Sequence, residues 1–568
     1  MVRRSIRLLA GLIAIAALAG CASIPRGGAV QGGGSISQAD NGLGPVDFIP
    51  AGPTNGSSQE QILQGFIDAA VSPQSGYEIA RRFLTTRFAS SWNPDASVTV
   101  DSRNSRVDSP IDATHRVLNV KPVAFVDADG NFLRAESSTP IAQTYSFARE
   151  KGQWRISKAP NGIVIGDSQF GDVFSAHPLY FYSPDYRYLV PDERWFPTSP
   201  ASTRARIVKE LVSAGPAKWL TGAVVSAFPA GSQLTIDSVP ATGGIADVDL
   251  NSTAGGANPL ALARMNLQLT ESLTSALGVT SVRLQIEGVD ASAQPLASRA
   301  PIQDPDVDPN PLVLRAGAFG LLSGSTVQTI PGISDTVAAL TPTAVTLSAD
   351  RSSAAVLGPG GVYAVRSGEE AGKPVDTRAG LLAPSLDNAG YVWSAASSQP
   401  ATLRATGPDR QPISLSVVWP SGSTPRAIAL SRDGTRLAAL VSFGAHTDVV
   451  AAGIARDTHG RPSRINEPVD LGPVATANTR SLSWLDELDV AALGSQGHGE
   501  SVVSVQTLGG MATQTPGPDG GASIAGAAAV PPYWVLTSAG SLQSQRGNGW
   551  QQKADRVTVL GIQLGRPN

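Results

Sequence analysis

Few side chains in this 568-residue chain have a setting that suggests chemistry, and the most specific of them is its single cysteine, Cys21. The small residues before it, Ala19 and Gly20, leave room for a processing peptidase at the peptide bond that precedes the cysteine. The thiol itself is nucleophilic enough to accept a lipid. Three arginines and an apolar run from Leu8 to Leu18 precede it. This order is typical of a secretory signal peptide, and the run is shorter than the ~20 residues of a bilayer-spanning helix. We therefore predict that residues 1–20 are a signal peptide.

The tetrad Leu18-Ala19-Gly20-Cys21 resembles the lipobox of bacterial lipoproteins. The resemblance implies that the Cys21 thiol receives a diacylglycerol, that the chain is cut before it, and that the new N-terminus is acylated, as with palmitate. Two or three acyl chains hold a protein firmly on a membrane, because each buried methylene contributes about 0.8 kcal/mol. The alternative is a secreted protein with a chance cysteine. The pair Arg3-Arg4 lacks the usual flanks of the twin-arginine route, which favours general secretory export.

Composition excludes several classes of protein. Residues 1–20 hold three arginines and no acids, so 40 of the 43 Lys+Arg remain against 46 Asp+Glu, a net charge of about −6. No nucleic-acid partner is expected, since such binders carry a clustered basic excess. With Cys21 lipidated, an internal disulfide and a thiolate metal site are excluded. No later apolar run approaches 18 residues, which predicts a mature chain wholly on the extracytoplasmic face of the cell membrane.

The remaining candidates for chemistry each have a simpler structural interpretation. Asp247 and Asp249 alternate on a predicted strand, where paired carboxylates can perform acid/base work, but the apolar residues around them favour a solvated strand face. Asp112 and His115 are predicted to be an exposed polar pair, with a ligand pocket as the alternative. His498 lies in a glycine-rich segment predicted to be a surface loop. Because the motifs of serine hydrolases, phosphate loops and zinc peptidases are missing, we predict no catalytic residues, metal or cofactor.

The N-terminal third of the chain is predicted to contain a tether and a small domain. Residues 21–57 combine the lipidated cysteine with a flexible segment rich in Gly, Ser, Pro and Asn. Residues 58–165 predict an α+β domain whose layout is similar to cone-shaped nuclear-transport-factor-like domains, which can hold a ligand. Its predicted elements are a helix from Ser58 that ends by Pro73, a helix over Tyr77–Trp92, and strands over Val117–Val126, Phe132–Ala135 and Gln143–Ile156, the last with a turn at Lys151-Gly152.

Residues 179–290 alternate between strands and helices, which predicts an α/β domain. Ser199-Pro200 and Asn258-Pro259 have the chemistry of helix starts. The expected buried stripes are Ile207, Val208, Leu211 and Val212 in the first helix and Leu262, Met265, Leu269, Leu273 and Leu277 in the second. Strands are predicted at Tyr180–Tyr182, Gln233–Ile236, Gly244–Leu250 and Val282–Ile286.

Several of these segments resemble the GerMN domain, a small α/β module of extracytoplasmic bacterial proteins. The matching pieces are Tyr180-Phe181, Arg194, Ala214-Gly215-Pro216, Phe228-Pro229, Ala246–Leu250 and the helix–strand unit from Gln268 to Gly288. The resemblance implies a module that binds rather than catalyses.

The C-terminal half follows a linker, residues 291–312, whose alternating acids lack the glycine and glutamate of a calcium loop. Residues 313–568 contain imperfect repeats in which Ser348, Ser385, Ser431 and Ser483 recur at intervals of 37, 46 and 52 residues. Periods of this length with several strands per unit predict a β-propeller, here of five to seven blades, with residues 318–330 as a first or closing element. A β-sandwich is the alternative fold.

A lipobox, tether, α+β domain, GerMN domain and propeller in this order resemble the LpqB lipoprotein family of high-GC Gram-positive bacteria. The resemblance implies a non-enzymatic accessory protein that contacts the extracytoplasmic domain of a sensor histidine kinase, MtrB of the MtrA–MtrB two-component system. Such a protein modulates signalling in cell-envelope homeostasis and division. No contact residues carry over. The alternatives are a protein that binds a cell-wall glycan or peptide at the propeller mouth, and an envelope hydrolase.

Overall fold

The computed structural model describes residues 50–567 except 136, 138, 277, 292, 371, 445, 477, 496–498, 529, 530 and 548. The predictions for Cys21, the signal peptide, the tether up to residue 49, Leu277 and His498 therefore lie outside the described residues. In the part of the chain that is described, no helix has the length and apolarity needed to cross a bilayer.

The first domain packs helices against two four-stranded sheets around one apolar core. Helix α1 (Gln59–Ala69) begins at Ser58 with a capping box, in which the Ser58 hydroxyl and the Gln61 side chain each accept a hydrogen bond from the other residue's backbone N–H. The other helices are α2 (Glu78–Arg81), α3 (Thr86–Ala89) and α4 (Asp167–Val173). The strands are β1 (Ser97–Asp101), β2 (Val107–Pro110), β3 (His115–Val120), β4 (Pro122–Asp127), β5 (Phe132–Arg134), β6 (Ile141–Glu150), β7 (Gln153–Lys158) and β8 (Ile163–Gly166).

Two predicted elements of this domain are split in the structure. The helix predicted over Tyr77–Trp92 is wrong as one element, because Leu84 forms a β-bridge with Ile156 and Thr85 then caps α3 by accepting a hydrogen bond from the Phe88 backbone N–H. The strand predicted over Val117–Val126 is divided between β3 and β4, which lie in different sheets. Pro122 has no N–H to continue the β3 ladder. The β6–β7 hairpin confirms the predicted turn, whereas the likeness to a nuclear-transport-factor domain stays a prediction.

The second domain combines an antiparallel ribbon, two helices and a four-stranded sheet of order β11-β12-β13-β14. Its strands are β9 (Phe174–Tyr182), β10 (Leu189–Pro197), β11 (Ala241–Thr242), β12 (Ile245–Leu250), β13 (Ser281–Ile286) and β14 (Val289–Asp290), and its helices are α5 (Pro200–Lys209) and α6 (Pro259–Thr274). The Asn258 side chain accepts a hydrogen bond from the Ala261 backbone N–H at 2.9 Å, which confirms the predicted start of α6. Met265, Leu269 and Leu273 are fully buried, as predicted.

One local prediction for the second domain is confirmed in part and another is wrong. α5 begins at Ser199-Pro200 as predicted, but the backbone carbonyl of Ser199, rather than its side chain, accepts hydrogen bonds, from the N–H and hydroxyl of Thr203. The predicted strand Gln233–Ile236 is an irregular segment that meets β12 through a single bridge, Leu234 to Leu250. β11 and Pro240 already pair with the first half of this edge of β12, which leaves only its end for the segment.

The C-terminal domain consists of six sheets of four or five strands, which we call blades 1 to 6. Blade 1 holds β15 (Leu312–Arg315), β16 (Ala318–Ser323), β17 (Thr326–Gln328) and β38 (Val557–Leu560), and blade 2 holds β18 (Ala344–Leu347), β19 (Ser353–Gly358), β20 (Gly361–Arg366) and β39 (Ile562–Gln563), after helix α7 (Ser334–Ala339). Blade 3 holds β21 (Ser385–Leu386), β22 (Val392–Ala395), β23 (Thr402–Thr406) and β24 (Pro412–Ser416). Blade 4 holds β25 (Thr424–Leu430), β26 (Arg436–Phe443), β27 (His446–Arg456), β28 (Pro462–Ile465) and β29 (Val469–Pro473). Blade 5 holds β30 (Ser481–Trp484), β31 (Asp489–Ser495), β32 (Ser501–Thr507) and β33 (Thr513–Pro516), and blade 6 holds β34 (Gly521–Gly526), β35 (Tyr533–Thr537), β36 (Leu542–Arg546) and β37 (Gly549–Ala554).

The blades form a closed ring. Their inner strands neighbour one another in the order β38, β18, β21, β25, β30, β34 and back to β38. The ring closes because β38, near the end of the chain, pairs with β15, the first strand of the domain. This arrangement is the β-propeller expected from the repeats, since an isolated blade cannot bury both of its faces.

The repeated Ser-x-Asp segments are the turns that follow inner strands. In blade 4 the Asp433 carboxylate accepts hydrogen bonds from the Ser431 hydroxyl at 2.9 Å and from the Thr435 backbone N–H at 2.8 Å. In blade 2 Asp350 accepts them from the Ser348 hydroxyl at 2.7 Å and from a backbone N–H two residues further on. The carboxylate thus replaces missing backbone partners in the turn.

Candidate functional site at the mouth of the propeller

One end of the propeller, where the inner strands finish and turn outward, carries a network of polar contacts; we call this end the linker face. Arg432 lies there with its side chain 7% exposed. Its guanidinium donates to the backbone carbonyls of Leu485 in blade 5 and Ala527 in blade 6. It also donates to the carbonyl of Pro305 at 3.1 Å. Arg432 therefore extends from blade 4 across the mouth of the central channel.

The linker segment, residues 303–310, is held against this face by ion pairs. Asp306 pairs with Arg566 at 2.7 Å and Asp308 pairs with Arg351 at 2.6 Å. The Gln563 amide also donates to a backbone carbonyl of the segment. The alternating acids of the linker thus contact the C-terminal tail and blade 2.

The second domain contacts the linker segment and blade 5 through a chain of hydrogen bonds. The Tyr180 hydroxyl donates to Glu487 Oε1 at 2.6 Å and accepts from Gln303 Nε2 at 2.6 Å. Arg436, 0% exposed in its side chain, donates to the Glu487 backbone carbonyl at 2.7 Å and pairs with Asp433. These contacts join three parts of the chain that are far apart in sequence.

Two carboxylates lie where the second domain meets the linker segment and blade 5, a place that we call the domain junction. Both are shifted toward their neutral forms. Burial, followed by the negative charges of Asp192, Glu487 and Asp489, raises the pKa of Glu193 to about 8. Burial is also the main cause that raises the pKa of Glu487, although the hydrogen bond from Tyr180 opposes it. Glu193 Oε2 and Glu487 Oε2 are both buried without a hydrogen-bond partner in the described structure. Desolvation therefore dominates the electrostatics of the junction.

The first domain is attached to the second through β10. Arg194 is 1% exposed, pairs with Asp192 at 2.7 Å and donates to the backbone carbonyl of Asp129 at 2.8 Å. The neighbouring Trp195 packs its ring 4.7 Å from that of Phe170 and donates its indole N–H to a backbone carbonyl in blade 5. Consecutive residues of one strand thus contact all three domains.

The predicted site residues within the described chain are not brought together. Asp247 pairs with Arg283 at 2.9 Å, and Asp249 accepts hydrogen bonds from neighbouring loops, so both carboxylates serve the half-exposed face of β12. Asp112 and His115 form a surface pair with Nδ1 2.9 Å from the carboxylate. A backbone hydrogen bond from Thr114 and the contact with His115 lower the pKa of Asp112 to about 2. The structure therefore favours the structural interpretation of these four residues.

A serine–histidine arrangement that the sequence did not indicate occurs at His177. Its ring nitrogens lie 2.9 Å from the Ser175 hydroxyl and 3.2 Å from the Ser275 hydroxyl. The residue is only 5% exposed, and burial lowers the pKa of His177 to about 4. A substrate has no open approach to so buried a ring, so these contacts hold β9 against α6.

Two pockets of the described structure have polar residues in their walls. A cavity of about 170 Å³ opens between the two sheets of the first domain, with Ile67 of α1 and Tyr145 of β6 in its walls. A pocket of about 340 Å³ lies between blades 1 and 2 beside Arg351. The spacing of the repeats gave no signal for either space, nor for Arg432, because each depends on how distant segments meet.

Comparison with known proteins places each domain. The model "Lipoprotein LpqB, N-terminal domain" matches residues 52–171, the model "Sporulation and spore germination" matches residues 178–292, and the model "Lipoprotein LpqB beta-propeller domain" matches residues 317–559.

Two relatives and one solved structure illustrate the extent of the likeness. "Lipoprotein LpqB" of Mycobacterium bovis is 27% identical over 525 residues, 85% of each chain. "Lipoprotein LpqB" of Thermobifida fusca is 29% identical over 285 residues, a match that spans 48% of this chain and only 44% of that protein. The first GerMN domain of the sporulation protein GerM from Bacillus subtilis is 21% identical, with coverage of 23% of this chain and 94% of that chain and a TM-score of 0.18.

Proposed function

Since the chain belongs to the LpqB lipoprotein family, we propose that it is a membrane-anchored lipoprotein that acts as a non-enzymatic interaction protein. The anchor is the lipid on Cys21, and residues 1–20 are the signal peptide that directs export. The chain then lies on the extracytoplasmic face of the cell membrane, with residues 21–57 as its tether.

The observation that carries this proposal is the set of contacts at the linker face. Arg432 and the linker segment bind blades 2, 5 and 6, the C-terminal tail and one another. The chain therefore uses these polar groups to hold its own segments together. A fixed arrangement of three domains presents a large outer surface, which suits recognition of another protein.

We propose the extracytoplasmic domain of an MtrB-like sensor histidine kinase as the partner. Through this contact the lipoprotein modulates signalling in envelope homeostasis and division. Anchoring in the same membrane raises the effective concentration of the two proteins, so that a weak interface suffices for a regulatory contact.

The other candidate functions have less support. A glycan or peptide bound at the linker-face mouth would have to displace Arg432 and break its hydrogen bonds to three backbone carbonyls. A hydrolase would need an accessible nucleophile and base, whereas His177 of the Ser175–His177 pair is buried. Ligand binding at this mouth and hydrolysis at this pair are therefore disfavoured.

In-cell cross-linking of the tagged lipoprotein, followed by mass spectrometry, tests the proposal. We expect repeated capture of one sensor kinase through its extracytoplasmic domain, and the cross-linked peptides identify the domain that touches it. Capture of wall polymer with no protein partner would overturn the proposal in favour of glycan binding.

A further inference from the structure

The pocket between blades 1 and 2 has a feature that its position in the fold does not require. Arg351 adopts the left-handed backbone conformation, with φ of 59°. In the equivalent turn of blade 4, Gly434 occupies this place with φ of 74°. Glycine adopts this conformation without steric cost, whereas an arginine side chain strains it. Residues of this kind concentrate at ligand sites but also occur in ordinary turns of this chain, as at Arg410 with φ of 60°, so the groups around Arg351 decide its role.

Arg351 contributes a donor group to the pocket. One terminal nitrogen, Nη2, pairs with Asp308 at 2.6 Å, and the side chain is 27% exposed beside the pocket. Arg351 is thus neutralised as a charge, but the other terminal nitrogen of its partly exposed guanidinium is still a donor that a ligand oxygen can use.

The rest of the pocket supplies hydrogen-bond acceptors beside Arg351. Asp350 accepts hydrogen bonds from Ser348 and Ser352, which lower its pKa even though burial opposes them, so it remains a carboxylate. Gln328 and Thr329 are exposed polar residues on the facing wall. The apolar side chains of Leu321, Ile330 and Pro331 complete the lining.

We propose that this pocket binds one ring of a neutral saccharide, independently of the kinase contact proposed above. Neighbouring hydroxyls of a sugar can donate to Asp350 and accept from Arg351 at the same time, while the C–H face of the ring packs on the apolar wall. A phosphate-like anion fits less well, because Asp350 repels it and Asp308 already neutralises the guanidinium. The volume of about 340 Å³ is within the range of small-ligand pockets.

The test uses the full mature lipoprotein in lipid nanodiscs and a saturation-transfer NMR titration. The probes are the methyl glycosides of glucose, mannose, galactose and N-acetylglucosamine, with inorganic phosphate as the anionic probe. We expect saturable, millimolar binding of at least one glycoside. Arg351→Gly should weaken it about tenfold or more, since a hydrogen bond from a charged donor is lost.

Arg410→Gly is the matched control, because Arg410 has φ of 60° in an exposed turn of blade 3, away from the pocket. It should bind the glycoside as the wild type does. Thr329→Val removes an exposed hydroxyl of the pocket without disturbing the turn, and it should also weaken binding. This second variant keeps the proposal testable if Arg351→Gly affects folding. The proposal would be overturned if none of the four glycosides bound saturably. It would also be overturned if the Arg351 and Thr329 variants bound the glycoside as well as the wild type does, or if phosphate displaced the glycoside.

Discussion

The buried carboxylate of Glu193 makes the stability of the domain junction depend on pH. Its pKa is raised to about 8, mainly by burial, from a model-peptide value of 4.5. Between these two values the folded chain binds more protons than the unfolded chain at this site. The slope of the unfolding free energy with pH is then negative, so stability falls as pH rises from about 4.5 to about 8 and levels off above.

The size of the effect follows from the shift. Each pKa unit corresponds to about 1.4 kcal/mol, and solvent near this partly exposed group screens part of the full amount. We therefore expect ionisation of Glu193 to lower the free energy of unfolding by about 1–3 kcal/mol across this range. Glu193→Gln removes the titration and keeps the shape, so the variant should gain stability relative to the wild type as pH increases.

Urea unfolding of the mature chain and the variant at several values between pH 5 and pH 9 measures this difference. Glu60→Gln, in the exposed first turn of α1, is the matched control and should show no such trend. If the free energies of unfolding of the wild type and Glu193→Gln differ by the same amount at pH 5 and pH 9, the assignment of a neutral, buried Glu193 is refuted.

Three further substitutions test other parts of the account. Cys21→Ala should abolish incorporation of labelled palmitate and release the chain to the medium or leave an uncut precursor; normal processing with unchanged membrane retention would contradict the anchor. Arg432→Met should lower the free energy of unfolding by about 2–4 kcal/mol, because three carbonyls lose their donor, whereas Arg426→Met on the blade surface should change it by less than about 0.5 kcal/mol. Gly526→Ala should cost about 3 kcal/mol in denaturant unfolding, since its new Cβ would collide with the backbone carbonyl of Trp484 in blade 5, whereas Gly171→Ala has open space and should be tolerated.

Local chemistry was sufficient to predict the elements that depend on neighbouring residues. Asn258 caps α6 because its side chain reaches a backbone N–H three residues on, and the Ser431–Asp433 turn closes on itself. The predicted helix over Tyr77–Trp92 failed because Leu84 is drawn to Ile156, a residue far along the chain. Periodicity carries no information about such distant pairs.

The candidate site was beyond sequence reasoning for the same physical reason. Arg432 joins residues 53 and 95 positions away, and those carbonyls meet only when the six blades close into a ring. The linker acids looked like a solvated spacer because their arginine partners, Arg351 and Arg566, are also remote. The order of the domains, in contrast, was readable, since each domain has its own local pattern.

Reconstitution is the most direct test of the proposed regulatory contact. The lipidated chain and the MtrB-like sensor kinase of the same organism are placed together in proteoliposomes, and the rate of kinase autophosphorylation is measured against the amount of lipoprotein. We predict a saturable change in that rate, which the non-lipidated Cys21→Ala chain produces only at higher concentration. An autophosphorylation rate that does not change at any amount of vesicle-bound lipoprotein would contradict the account.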